Sequence, residues 1–229
     1  MNLSEHYNAL FKTSSELILS EKYSIDSKIS DDSDKRFGIT LLIRPSEEIN
    51  NNIQEFLKEL KKTEPEQYFY PNSDIHITIM SIISCAEGFT LNQFSTSEYV
   101  EIIEKSLVDV NEIEIEYRGV TLSPSAIMLQ GFPSDDSLNI FRNKLRENFK
   151  NSSLPQSLDS RYTITAAHST VLRFQNKLQN PKKLIEVVEK FRNYNFGKFT
   201  VDKIELVFND WYQREKNTIN MCDLYLKYF

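Results

Sequence analysis

Two short stretches govern the reading of this chain: Ile75-His76-Ile77-Thr78-Ile79 and His168-Ser169-Thr170-Val171. The first alternates strictly, which predicts a β-strand with isoleucines on one face and His76 and Thr78 on the other. The second repeats the His-x-Thr pattern 92 positions later, in a protein of 229 residues that has only three histidines. Along a strand, residues i and i+2 share a face about 6.6 Å apart, so a threonine hydroxyl can hold one phosphate oxygen while the neighbouring histidine reaches an atom beside it. Imidazole, with an unperturbed pKa of about 6.5, can accept a proton in one copy and donate one in the other. A base and an acid on opposite sides of a phosphorus are what in-line displacement at a phosphodiester needs.

Working outward, the same order of elements is written twice. Phe37 to Ile43 is an apolar run that predicts a buried strand. Pro45 and Ser46 end it, and Ser46-Glu47-Glu48 provides a capping oxygen followed by carboxylates at the positive end of a helix dipole. Ile49, Ile53, Phe56, Leu57 and Leu60 then mark one helix face. The first histidine strand, a helix over 97–109 and an alternating strand over 112–120 follow. The second copy starts with a strand over 125–131. Pro133-Ser134-Asp135-Asp136 restates the break and cap, and Leu138, Phe141, Leu145 and Phe149 give the matching helix. Strands over 162–174 and 199–208 enclose another helix. The two caps, Ser46 and Ser134, stand 88 apart. A repeat of strand, helix, strand, helix, strand therefore spans about 37–121 and 125–209, with a closing strand over 218–228. Residues 1–36 form an N-terminal helix and loop extension outside it.

Helices alternate with strands here without the Gly-rich turns and long apolar strands of a doubly wound sheet. The expected fold is α+β: two pseudo-symmetric lobes of antiparallel strands with flanking helices, and a central cleft between the two His-x-Thr strands.

Paired His-x-Thr-hydrophobic motifs, one per repeat, resemble the two-histidine phosphoesterase superfamily. That superfamily includes bacterial 2′,5′ RNA ligase-like proteins, 2′,3′-cyclic nucleotide phosphodiesterases and enzymes that cut 2′,5′-linked oligoadenylates. The resemblance covers roughly residues 37–229 and implies His76 and His168 as general base and acid, in either order, with Thr78 and Thr170 on the phosphate. It also implies a phosphate-binding role for Arg173, five positions beyond the second histidine. Strand parity opposes this, because Arg173 shares a face with His168 only where the strand bulges or ends first. The first motif continues Met80-Ser81-Ile82-Ile83, where the ligase-like branch has a Gly-containing turn.

The implied activity is a metal-independent phosphodiesterase acting on a 2′,3′-cyclic phosphate or a 2′,5′-linked nucleotide or short RNA. The same residues would serve a 2′,5′ RNA ligase, and a nucleotide or RNA-end binding module without turnover is the reading from another class. Trp211 and Tyr212, in the turn before the last strand, are candidates to stack a base, with Tyr68, Phe69 and Tyr70 behind them. His6 is a bystander, and Lys35, Arg36 and Arg44 are expected in solvent.

Composition narrows the field. Five glycines, widely spaced, write no phosphate loop of the P-loop or dinucleotide type. Cys85 and Cys222 are isolated and no two histidines stand at ligand spacing, so no metal and no cofactor are expected. With 27 basic against 33 acidic side chains the net charge is −6, which argues against duplex DNA and leaves room for one small phosphorylated ligand. No run is apolar enough for a membrane span, no signal-peptide core opens the chain, and two lone cysteines suit a reducing compartment. A cytoplasmic protein is expected; the sequence leaves its oligomeric state open.

Overall fold

A computed structural model describes residues 2–226; positions 227 and 228 of the expected closing strand lie outside the described residues. In chain order the elements are α1 (Leu3–Leu19), β1 (Arg36–Ile43), α2 (Glu47–Thr63), β2 (Tyr68–Phe69), β3 (Ile77–Glu87), α3 (Thr96–Leu107), β4 (Glu114–Ser123), β5 (Ala126–Pro133), α4 (Ser137–Lys150), β6 (Ser169–Arg173), α5 (Pro181–Lys190), β7 (Asn195–Thr200), β8 (Lys203–Asp210) and β9 (Ile219–Tyr225). The class is α+β with two antiparallel sheets, as the sequence indicated. One sheet runs β3-β1-β8-β9 and the other β2-β6-β5-β4-β7.

The two sheets do not follow the two sequence repeats. β4, the third strand of the first repeat, pairs with β5 and β7 in the second sheet, and β8, from the second repeat, pairs with β1 in the first. Each sheet is therefore assembled from both halves. The exchange happens at Val201-Asp202, where the single strand expected over 199–208 is two strands in different sheets. The Val201 amide still donates to the carbonyl of Ile113, just ahead of β4 (2.9 Å), while β8, from Lys203, runs beside β9.

The helix starts follow the expected chemistry in one repeat and vary it in the other. The Ser46 hydroxyl accepts from the Ile49 amide, with Glu47 and Glu48 in the first turn and Lys61 and Lys62 in the last. In the second repeat it is Asp135, not Ser134, whose oxygen accepts from the Ser137 amide (2.8 Å); Ser134 donates instead to Glu114. A carboxylate one residue nearer the helix serves the amide better than the hydroxyl, which is free to tie the turn to β4.

Between the sheets and helices lies one continuous apolar core, drawn from β1, β3 and β8 on one side and β4, β5 and β6 on the other. α1 packs on β4, with Tyr7 fully buried, its hydroxyl donating to the Gly131 carbonyl and Thr121 donating to the Tyr7 carbonyl. Gly131 is required here by space: a Cβ on it would stand 1.8 Å from the Ala167 carbonyl oxygen. The segment that leads into His168 lies directly on β5.

Gly131→Ala is thus expected to destabilise the fold by about 1–3 kcal/mol, the usual cost of forcing a group into a packed interior. Urea unfolding monitored by circular dichroism measures it; an unchanged midpoint and slope would remove this contact from the account.

Candidate active site

Each histidine stands one residue before its strand, His76 before β3 and His168 before β6. The Ser169 hydroxyl donates to the His76 carbonyl oxygen at 2.5 Å, joining the two motifs. Because Ser169 donates there, the Tyr117 hydroxyl must donate to Ser169, and all three groups lie behind the histidines. His76, Thr78, His168, Thr170 and Arg173 line a single cleft of about 210 Å³, together with Ser81, Trp211 and Tyr212.

Arg173 joins them through a bulge. On β5 the neighbours Ile127 and Met128 face Leu172 and Thr170, which leaves Val171 as an extra residue on β6. That extra residue reverses the parity beyond it and turns Arg173 to the histidine side. β3 does the same at the equivalent point: Leu41 and Leu42 face Met80 and Thr78, with Ile79 extra. Ser81, five positions past His76, is thereby the counterpart of Arg173. Sequence inspection singled out the arginine and passed over the serine.

Arg173 is fixed by three groups. Its Nε donates to the Tyr70 hydroxyl (2.9 Å), one terminal nitrogen stands 3.5 Å from Asp26, and its guanidinium carbon lies 5.4 Å from the Tyr212 ring centre. Tyr212 is buried; its hydroxyl donates to Asp26 (2.6 Å) and accepts from Arg36 (3.3 Å). Asp26 comes from the loop after α1, so the N-terminal extension reaches the site. Trp211 carries two guanidinium groups against its ring, Arg161 at 4.2 Å and Arg36 at 4.7 Å. In this arrangement both aromatic candidates organise arginines. Arg36 and Arg44 are not free solvent groups as expected: Arg36 is paired with Asp34, and Arg44 with Glu205.

The approach to His168 departs most from the sequence reading. Residues 162–168 were expected within a strand, but regular pairing begins only at Ser169. Side chains take the place of a neighbouring strand. Arg146 donates to the Ile164 carbonyl, Arg142 to those of Thr165 and Ala166, and the Tyr7 hydroxyl lies against the backbone of Ala167. Arg142, fully buried, also donates to the carbonyls of Thr78 (2.9 Å) and Ile79 (3.0 Å), so one guanidinium ties the first motif to the segment that leads into the second. A signal for it was present: Arg142 falls on the apolar stripe of α4, four residues after Leu138 and three before Leu145, where a charge is out of place.

Burial pushes the pKa of both histidines down to about 4. For His76 the positive charges of Arg44, His168 and Arg173 add to burial, against an opposing bond to the Asp74 carbonyl. For His168 the added charges are those of Arg142, His6 and Arg173. His76 Nδ1 stands 2.7 Å from the Asp74 carbonyl oxygen. A carbonyl only accepts, so in the neutral ring Nδ1 carries the proton and Nε2 the lone pair. Among the described residues no three His, Cys, Asp or Glu side chains are grouped to hold a metal ion, and no helix is long and apolar enough to cross a membrane.

No family model and no curated protein matches this sequence. Solved structures do. The protein TT0787 of Thermus thermophilus aligns with a TM-score of 0.61 at 11% identity, covering 83% of this chain and 98% of that one. E. coli LigT complexed with 3′-AMP gives 0.56 at 12% identity, and a protein titled a phosphoesterase 0.53 at 14%, both with 83% of this chain and 98% of theirs covered. The chain has the fold of these proteins.

Arg142→Lys replaces a five-donor fork by a single ammonium that cannot span four carbonyls. A loss of at least about 2–3 kcal/mol is expected, since each buried carbonyl left unpaired costs about 1–3 kcal/mol; unchanged urea unfolding would refute the clamp. The histidines set a pH dependence of opposite origin. Between about 6.5 and about 4 the unfolded chain binds protons that the folded histidines refuse, so stability is full above 6.5 and falls as pH drops through that window. The His76→Asn/His168→Asn double variant should lose less stability between pH 7 and pH 5 than the wild type; equal losses would contradict the assignment.

Proposed function

We propose that the protein is a phosphodiesterase that opens a 2′,3′-cyclic phosphate or cleaves a 2′,5′-linked nucleotide by paired-histidine acid–base catalysis. The observation that carries this reading is the convergence of two His-x-Thr pairs, one from each sheet, on one cleft that also holds Arg173. Solved LigT structures complexed with 3′-AMP and with phosphate are in keeping with a nucleotide phosphate at such a site.

The tautomer of His76 supports giving it the role of base and His168 that of acid. With its Nδ1 proton held by the Asp74 carbonyl, Nε2 is the base. It takes the proton from water, or from the ribose hydroxyl next to a 2′,5′ linkage, as the new P–O bond forms. His168, on the other side of the phosphorus, delivers a proton to the leaving ribose oxygen as the old P–O bond breaks. Thr78 and Thr170 donate to the non-bridging oxygens, and the Arg173 guanidinium offsets the charge that builds on them. Both imidazoles are neutral in the empty cleft near pH 7; a bound phosphate anion, by its charge, favours protonation of His168. The Ser169 and Arg142 contacts keep the two motifs at a fixed separation, which orientation-dependent proton transfer requires.

The resulting pH profile of kcat/KM is a bell, because it reports the free enzyme's acid and base. Since burial lowers both groups, the maximum should fall below pH 6.5, and a maximum above pH 7.5 would contradict the assignment. His76→Ala and His168→Ala should each lose about 10²–10⁴-fold in turnover, while EDTA leaves the wild type unaffected. The test is a panel of 2′,3′-cyclic mononucleotides and 2′,5′-linked adenylates, with a cyclic-phosphate and a 5′-hydroxyl RNA end included to detect joining. Tight nucleotide binding with no turnover across the panel would make the protein a binding module.

A further inference from the structure

The cleft continues well past the histidines. β3 forms one wall from Thr78 to Cys85, seven residue steps that span at most roughly 23 Å at about 3.3 Å per residue, less what the bulges take up. At the far end Arg161 lines the same cleft. One of its terminal nitrogens donates to the Cys85 carbonyl (2.8 Å) and its guanidinium lies on the Trp211 ring.

Arg161 differs from the arginines around it in charge balance. Arg36, Arg44, Arg173 and Arg214 are paired with Asp34, Glu205, Asp26 and Asp210. The acidic group nearest in sequence, Asp159, is taken by Arg146 at 2.5 Å. Among the described residues Arg161 has no carboxylate partner, and it is exposed to solvent. Its neighbour Tyr162, also in the cleft wall, is 65% exposed, an aromatic ring that the core does not use. On the same wall the Ser84 and Ser160 hydroxyls meet at 3.2 Å.

We infer that Arg161 and Tyr162 form a distal subsite that binds a second phosphate and stacks a base. On the phosphodiesterase reading proposed above, the substrate is then an oligonucleotide with at least two phosphates, and a cyclic mononucleotide fills only the histidine end. A guanidinium held over an indole and anchored by one carbonyl keeps its remaining donors available for a two-point contact with phosphate oxygens. An exposed tyrosine beside it offers the sequence-tolerant platform that single-stranded bases use. This placement also reconciles a phosphate-rich ligand with a net charge of −6, because the attraction is confined to one groove.

The test measures Kd by calorimetry for a 2′,5′-linked adenylate trimer and for 2′,3′-cyclic AMP, with KM where turnover occurs. The wild type should bind the trimer at least about tenfold more tightly. Arg161→Gln should cost the trimer at least about tenfold more than it costs cyclic AMP, Arg161→Lys should recover part of that loss, and Tyr162→Ala should reproduce the selectivity of the effect. Wild-type affinity no greater for the trimer, or equal losses on both ligands, would overturn the subsite. Because Kd is read without turnover, a protein that binds the trimer through Arg161 yet hydrolyses nothing keeps the subsite and loses only the catalytic reading.

Discussion

A single buried cation, the Arg142 guanidinium, holds the centre of this molecule together. It rises from α4 and donates to carbonyls on both sides of the cleft, those of Thr78 and Ile79 in one sheet and of Thr165 and Ala166 ahead of the other motif. Its bonds go to carbonyl dipoles rather than to a carboxylate, and Asp159, the nearby acid, is paired with Arg146. Burial and the neighbouring Arg146 bring its pKa down to about 10, which still leaves it charged at neutral pH. A fixed positive charge that has no ion pair of its own among the described residues adds to burial in keeping the His168 imidazole neutral, and it favours negative charge nearby. The interaction that sets the geometry of the site thus also contributes to its electrostatic character.

The N-terminal extension belongs to the same arrangement. Tyr7 supports the backbone before His168 from behind, and Asp26 ties Arg173 to Tyr212 from the front. A helix and loop with no part in the repeat thus act on the second motif from two directions. Such support is what a site of short strands needs: β6 has five residues and its approach lies outside any strand, so side chains supply what the ladder does not.

Much of this was legible in the sequence, and what was not has definite physical causes. Alternation, caps and apolar stripes gave the element order and the α+β class, and two His-x-Thr pairs gave the centre of the cleft. Arg173 could be flagged but not oriented, because a bulge at Val171 leaves no trace in a β-branched residue that suits a regular strand equally well. The strand exchange was hidden for a similar reason: periodicity reports which face of a strand is buried and says nothing of its neighbours. Tyr162 was absorbed into the strand expected over 162–174, and Arg161 just ahead of it was passed over, because a segment held by side-chain partners can carry the residue pattern of a strand. Tyr70, weighed as a stacking residue, is buried and spends its hydroxyl on Arg173.

The crossing of β4 and β8 between the sheets bears on how the chain reaches this state. β1 lies between β3 and β8, so one side of a strand at residues 36–43 stays open until residues 203–210 are available. Contacts over such separations exact a large loop-closure entropy before they give anything back, and chains dominated by them fold slowly. During synthesis the first sheet would exist only as the β1–β3 pair, an unprotected apolar edge awaiting its partner. The cleft is thus among the last features to form, and no fragment ending before β8 would contain it.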